Sequence, residues 1–219
     1  SFYYWKYFLF ATSIPLLFGF FLGLFICIRK RDYNAKFLLW WVVLSLIMYT
    51  IFCIRLGGTR YTVILYPAIA ILAVIGYKNF LRKKYVFMLI PILLFMGYEH
   101  IKSYPYYFDY YNQIIGGRTG AINAQLDFSW WGEGQRDAGL WLKKNGFKNS
   151  RVGLLVTPKY VFPRLRQDQT AEFIEKPNDA DYIVVTRRMQ VDKDFYDRYS
   201  IVHTVSTGGE GLIYVYKKN

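Results

Sequence analysis

Residues suited to metal binding, disulfides or nucleophilic catalysis are scarce in this chain. Its 219 residues include two cysteines and two histidines. Cys27 and Cys53 fall near opposite ends of two successive apolar runs. That is too far to bridge within one subunit, because disulfide Cα atoms lie within about 7 Å. His100 and His203 have no ligand-spaced neighbours, so no metal site is expected, although a divalent ion stays open. GEG at 132–134 and GGEG at 208–211 lack the Gly-Lys-Ser/Thr ending of a phosphate loop. No GxSxG elbow and no Cys/His pair marks a nucleophile. No cofactor is therefore expected. No internal repeat or low-complexity tract is present. Acidic residues are few, 15 against 28 Lys and Arg, for a net charge of +13.

Apolar sequence, in contrast, is abundant. Four runs fill the first hundred residues, at about 5–28, 37–56, 61–77 and 85–101. The first is long enough for a hydrocarbon core that needs about 20 apolar residues, while the last two sit at the lower limit. In lipid each would have to be helical. Pro15, Pro67 and Pro91 lie inside these runs, which membrane bundles tolerate. The chain opens on Ser1 and enters an apolar run at once, which reads as a piece of a longer polytopic protein. That first run is too long and too aromatic for a cleaved signal peptide. The expected fold is thus a membrane all-α bundle of about four transmembrane helices over 1–101, followed by a small extracytoplasmic α/β domain over 102–219.

The location of the charge argues against nucleic acid. Residues 1–101 carry eleven Lys and Arg against Asp32 and Glu99, and the excess is concentrated in the segments 29–36 and 78–84. Short basic loops face the cytoplasm. The chain is therefore expected in the cytoplasmic membrane, multi-pass, with the 57–60 turn and the C-terminal half outside. The second half predicts a helix over 134–145, closed by a left-handed Gly146. Two β-rich runs follow at 151–158 and 180–188, with continuous apolar centres typical of strands covered on both faces. A helix is expected near 170–176, which makes a βαβ-like unit, and a hairpin over 200–218.

Two constellations could carry chemistry. In GGTRY, Gly57 and Gly58 let backbone N–H groups converge on an anion. Arg60 offers a planar donor fork for phosphate, and Tyr61 adds a hydroxyl at head-group depth. The same residues also suit a tight turn with a snorkelling arginine. The second constellation spans YPYYFDYYNQIIGG (104–117) and LDFSWWGEGQRD (126–137), which mix carboxylates with aromatic faces as carbohydrate sites do. An interfacial aromatic belt accounts for the same tyrosines.

The pattern of Arg60, Tyr61 and then Tyr66-Pro67 resembles the late spans of membrane-embedded C-type glycosyltransferases, in the branch of protein O-mannosyltransferases and aminoarabinose transferases. The 104–145 stretch is similar to a motif of prokaryotic members, an aromatic "YYFSYYN…GG" followed by "S-x-DWGQD" and a helix. Tyr106, Tyr107, Phe108, Tyr110, Tyr111, Asn112, Gly116 and Gly117 fit it, as do Ser129, Gly132 and Gln135. Trp130 or Trp131 stands where the Asp of the second motif would be, so no role of that Asp carries over. The resemblance covers about 55–145.

It implies transfer of a sugar from a polyprenyl-phosphate donor to an acceptor protein, lipid or glycan outside the membrane. The catalytic carboxylate of such enzymes lies in the first external loop, upstream of this chain, so no catalytic residue is assigned here. Arg60, Tyr61, Gly57 and Gly58 are the expected contacts for the lipid phosphate. Tyr107, Tyr111, Asn112, Trp131 and Gln135 are candidate sugar or acceptor contacts. The expected partners are the lipid-linked sugar and the bilayer. The competing reading is a non-enzymatic multi-span anchor presenting an external binding or sensing domain.

Overall fold

A computed structural model describes residues 2–30, 33–52, 59–81, 87–127, 132–155, 162–177, 179–187 and 191–219. The chain forms two compact units, Ser1–Asp127 and Phe128–Asn219. Residues 102–127 thus belong with the helical unit.

The first unit contains α1 (Tyr3–Phe10), α2 (Ile14–Lys30), α3 (Tyr33–Ile51), α4 (Thr59–Thr62), α5 (Tyr66–Phe80), α6 (Leu89–Ser103) and α7 (Gly117–Asn123). A 3-10 turn, Val63–Leu65, joins α4 to α5. Pro67 sits in the first turn of α5, where its missing N–H costs nothing. Helices α2 and α5 approach so closely that glycine is required. A Cβ on Gly23 would lie 1.9 Å from the Leu72 carbonyl oxygen, and one on Gly76 would lie 2.2 Å from that of Gly19. Small residues at a crossing let two helix backbones touch. Around this crossing Phe8, Phe20, Leu46, Ile69 and Leu72 form the core.

This architecture corrects the expected fold class. Among the described residues a single continuous helical stretch, the 18 residues Val63–Phe80, is long and apolar enough to cross a bilayer. The first expected span is two helices, α1 and α2, bent by 107° at the break between them. At most it adds one broken span. Within α3 the described apolar stretch is Lys36–Ile51, one of the shorter apolar helices. The fourth run yields α6, 15 residues with Glu99 buried near its end. Apolar composition counts residues without sensing where the helix breaks, and the break at 11–13 is what the count missed. The chain also contains a five-stranded mixed sheet. Among the described residues the expected bundle of about four transmembrane helices is not present.

The second unit holds α8 (Gln135–Asn145), β1 (Arg151–Leu155), β2 (Thr170–Ile174), β3 (Tyr182–Thr186), α9 (Lys193–Arg198), β4 (Tyr199–Thr207) and β5 (Glu210–Lys218). The strand order is β2-β1-β3-β5-β4. Strands β1 and β3 pair in parallel, Val152 opposite Tyr182, and β5 runs antiparallel to both β3 and β4. The central β1 and β3 are buried along almost their whole length. Gly208 and Gly209, both at positive φ, turn the β4–β5 hairpin.

Two local expectations fail here. The segment near 170–176 is strand β2, in register with β1, and not a helix. It is an edge strand, mostly exposed with Ile174 buried, and its pairing with β1 decides its structure. Gly146 is extended (φ −67°, ψ 154°), not left-handed. It is glycine for closeness, since a Cβ there would meet Gln169 Nε2 at 2.4 Å and the Leu142 carbonyl oxygen at 2.7 Å.

Candidate functional site

The break between α1 and α2 that ends the first helix also opens a cavity in the helical unit. Four carbonyls near this break would be orphaned, as at any helix C-terminus. Asn112 takes two of them: its Nδ2 donates to Leu9 O (2.7 Å) and Thr12 O (2.8 Å). Its backbone N–H takes Phe10 O at 2.8 Å. Tyr66 donates its hydroxyl to Ala11 O at 3.1 Å. The bend is therefore fully bonded from two distant parts of the chain.

The cavity that this bend frames has a volume of about 480 Å³, within the size range of small-molecule sites. Ala11, Ser13 and Leu16 form one wall, Val63 and Tyr66 a second. From α6 come Met96, Glu99, His100 and Ser103, which at spacings i, i+3, i+4 and i+7 share one helix face. The chain then folds back to add Tyr107, Phe108 and Tyr110.

Glu99 is the unusual member. It is 4% exposed. Its Oε1 accepts from the Tyr110 hydroxyl (2.5 Å) and from Gln113 Nε2 (3.0 Å). Its Oε2 is buried and has no hydrogen-bond partner among the described residues. Burying a polar atom unpaired costs about 1–3 kcal/mol, more when charged. Burial pushes the Tyr110 hydroxyl well above the ordinary phenol range, and its hydrogen bond to Glu99 and the charge there push it further. Tyr110 therefore stays a donor to Glu99.

The sites expected from sequence distribute as follows. Tyr107 lies on the cavity wall, half-exposed, its ring 6.1 Å from that of His100. Asn112 is fully buried, and its side chain bonds main-chain groups only, with Oδ1 accepting from Ile114 N (3.1 Å). Tyr111 is buried and donates to the Asp127 carbonyl, while Tyr3 donates to the Asp127 carboxylate. Burial raises the Tyr111 hydroxyl's pKa well above the phenol range. Gln135 is buried in the second unit at the start of α8. Trp131, Gly57 and Gly58 lie outside the described residues. Arg60 is in α4, its side chain outside the described set, and Val63 of the cavity wall follows three residues later. Tyr61 accepts at its carbonyl from the Tyr49 hydroxyl (3.2 Å). Gly116 and Gly117 both have positive φ and turn the chain into α7.

Against protein-family models, curated proteins and solved structures the chain gives no match.

The functional reading therefore rests on the cavity. Glu99, its most telling member, was not singled out by sequence reasoning. It reads as one charge at the end of an apolar run. The available signal was the spacing of Glu99, His100 and Ser103, three polar residues on one stripe of an apolar helix. Among the described residues no three His, Cys, Asp or Glu side chains converge as metal ligands.

Proposed function

We propose that the chain is part of a membrane glycosyltransferase that moves a sugar from a polyprenyl-phosphate to an acceptor outside the cytoplasm. The cavity framed by the α1–α2 break seats the sugar-bearing end of the donor. The observation that carries this reading is the two-faced lining of the cavity. Leu16, Val63, Met96 and Phe108 offer apolar surface; Glu99, His100, Ser103 and Tyr107 offer polar groups. A free sugar does not call for the aliphatic surface of Leu16, Val63 and Met96 and a hydrocarbon needs no carboxylate, whereas a lipid-linked sugar uses both.

Three further features support it. Only 33% of the Val63–Phe80 window is buried, unlike the core helix of a water-soluble fold. Large apolar side chains such as Phe25, Phe37, Trp40, Val74 and Leu94 point outward from these helices, which suits a lipid surround. The aromatic stretch resembling the transferase motif supplies Tyr107, Phe108 and Tyr110 to the cavity wall.

In the reaction, the bond between the anomeric carbon and the phosphate oxygen breaks, and its electron pair leaves with the lipid phosphate. An acceptor oxygen or nitrogen forms the new bond and gives up its proton to a base. That base is assigned to the upstream loop that the resemblance implies, not to this chain. Arg60 neutralises charge on the departing phosphate, the kind of fixed cation that lowers such barriers. The test is transfer of labelled sugar from a prenyl-phosphate donor by the full-length protein in vesicles. Ser13→Trp fills the cavity and Arg60→Ala removes the cation. Each is expected to lower transfer by about 100-fold or more with membrane insertion intact. Wild-type transfer rates in the filled-cavity variant would overturn the reading.

A further inference from the structure

Glu99 leaves a specific chemical demand inside the cavity. Oε1 already accepts two donors, one from Tyr110 and one from Gln113. Among the described residues Oε2 is left without a donor, on a side chain 96% removed from solvent that belongs to the lining of a cavity large enough for a ligand. An oxygen in that state is completed by a hydrogen-bond donor arriving from outside the protein. We propose that Glu99 Oε2 accepts a ring hydroxyl of a sugar bound in this cavity, and so serves as the residue that reads which sugar is present.

Three observations select a neutral hydroxyl over other donors. A divalent cation would need several ligands, and no three His, Cys, Asp or Glu side chains converge as a ligand set among the described residues. An ammonium would sit against the apolar walls of Leu16, Val63 and Met96, which cannot solvate its charge. The remaining walls include the rings of Tyr66, Tyr107 and Phe108, which suit the C–H faces of a pyranose or furanose. Tyr110 and Gln113 both hold the carboxylate through Oε1, which restrains the group that carries Oε2. A fixed acceptor discriminates strongly against an analogue lacking the matching hydroxyl, because the acceptor is then left buried and unpaired.

This inference deepens the transferase reading and rests on it for the identity of the ligand. Its test is chosen to stand apart from catalysis. Binding of a radiolabelled alkyl glucoside to the full-length protein in nanodiscs is measured at equilibrium, together with a series of alkyl deoxyglucosides lacking one hydroxyl each. The protein is expected to bind the parent glycoside and to lose about 10- to 100-fold in affinity for one member of the series, the worth of a hydrogen bond to a charged group. Glu99→Gln, which keeps the side-chain shape, is expected to lose affinity for the parent by a similar factor and no further affinity for that member. Uniform affinity across the deoxy series, or discrimination unchanged by Glu99→Gln, overturns the assignment. The deoxy series on the wild-type protein decides the matter even if the variant misfolds. Failure of sugar transfer with Glu99-dependent glycoside binding intact would overturn the transferase reading and leave the sugar site standing.

Discussion

Asn112 shows how one side chain can be visible in a sequence while its task is not. It sits in the aromatic motif, between Tyr111 and Gln113, and reads there as a sugar contact. In the fold its amide is used up on Leu9, Thr12 and Ile114. The reason is long-range: the acceptors lie about a hundred residues earlier, and no local pattern announces a helix break that will need them. Asn112→Ala should orphan two carbonyls, at about 1–3 kcal/mol each. The thermal midpoint of the helical unit, followed by circular dichroism in nanodiscs, should fall accordingly. An unchanged midpoint would mean that the break is held by other groups. Glu99 is the converse case, one charge whose burial and partners appear only when 104–113 folds back onto α6.

At the scale of elements, the glycines of the α2–α5 crossing carry the sharpest prediction. Gly23→Leu places atoms where the Leu72 carbonyl stands, and the two helices must separate. The helical unit should lose its cooperative unfolding transition, since overpacking alone costs about 1–3 kcal/mol and backbone contact more. Gly97→Ala on α6 is the control, because a Cβ there meets nothing within 4 Å. It should be neutral or slightly stabilising, as alanine is the better helix former. Equal effects of the two would refute the close crossing. Elements with strong local signals were legible: the helix from Gln135, the buried strands β1 and β3, and the hairpin with its paired glycines. Strand β2 was misread because TAEFI is short and takes its identity from the neighbouring β1. The first apolar run was misread as one straight span because hydropathy is blind to a bend that Asn112 and Tyr66 supply from elsewhere.

At the scale of the molecule, the two units should respond differently to acid. In the sheet unit His203 stacks on Trp141, centroids 4.7 Å apart and ring planes nearly parallel. Burial lowers its pKa from the ordinary 6.5, partly offset by the charge of Asp137. A base held neutral in the folded state adds stability that is complete above about pH 6.5 and declines as the pH falls through the lowered folded value. Asp168, hydrogen-bonded to Arg166, and Asp179, bonded to Lys218, are held below the usual carboxylate range. Their contribution is complete above about pH 4 and fades with further acidification. Melting of the sheet signal from about pH 7.5 to pH 5 should therefore slope downward, and His203→Phe should remove most of that slope. A slope that survives the substitution would assign it to other groups.

The proposed function makes a spatial demand of the helical unit: the sugar end of a lipid-linked donor should enter the cavity beside the α1–α2 break. The most direct measurement is photolabelling of the full-length protein in vesicles with a prenyl-phosphate sugar whose photoreactive group is on the sugar, followed by peptide mapping. The account predicts labels on the α6 face of Met96, Glu99, His100 and Ser103 and on Tyr107, displaced by unlabelled donor. Displaceable labelling confined to the sheet unit, or none at these residues, would contradict it.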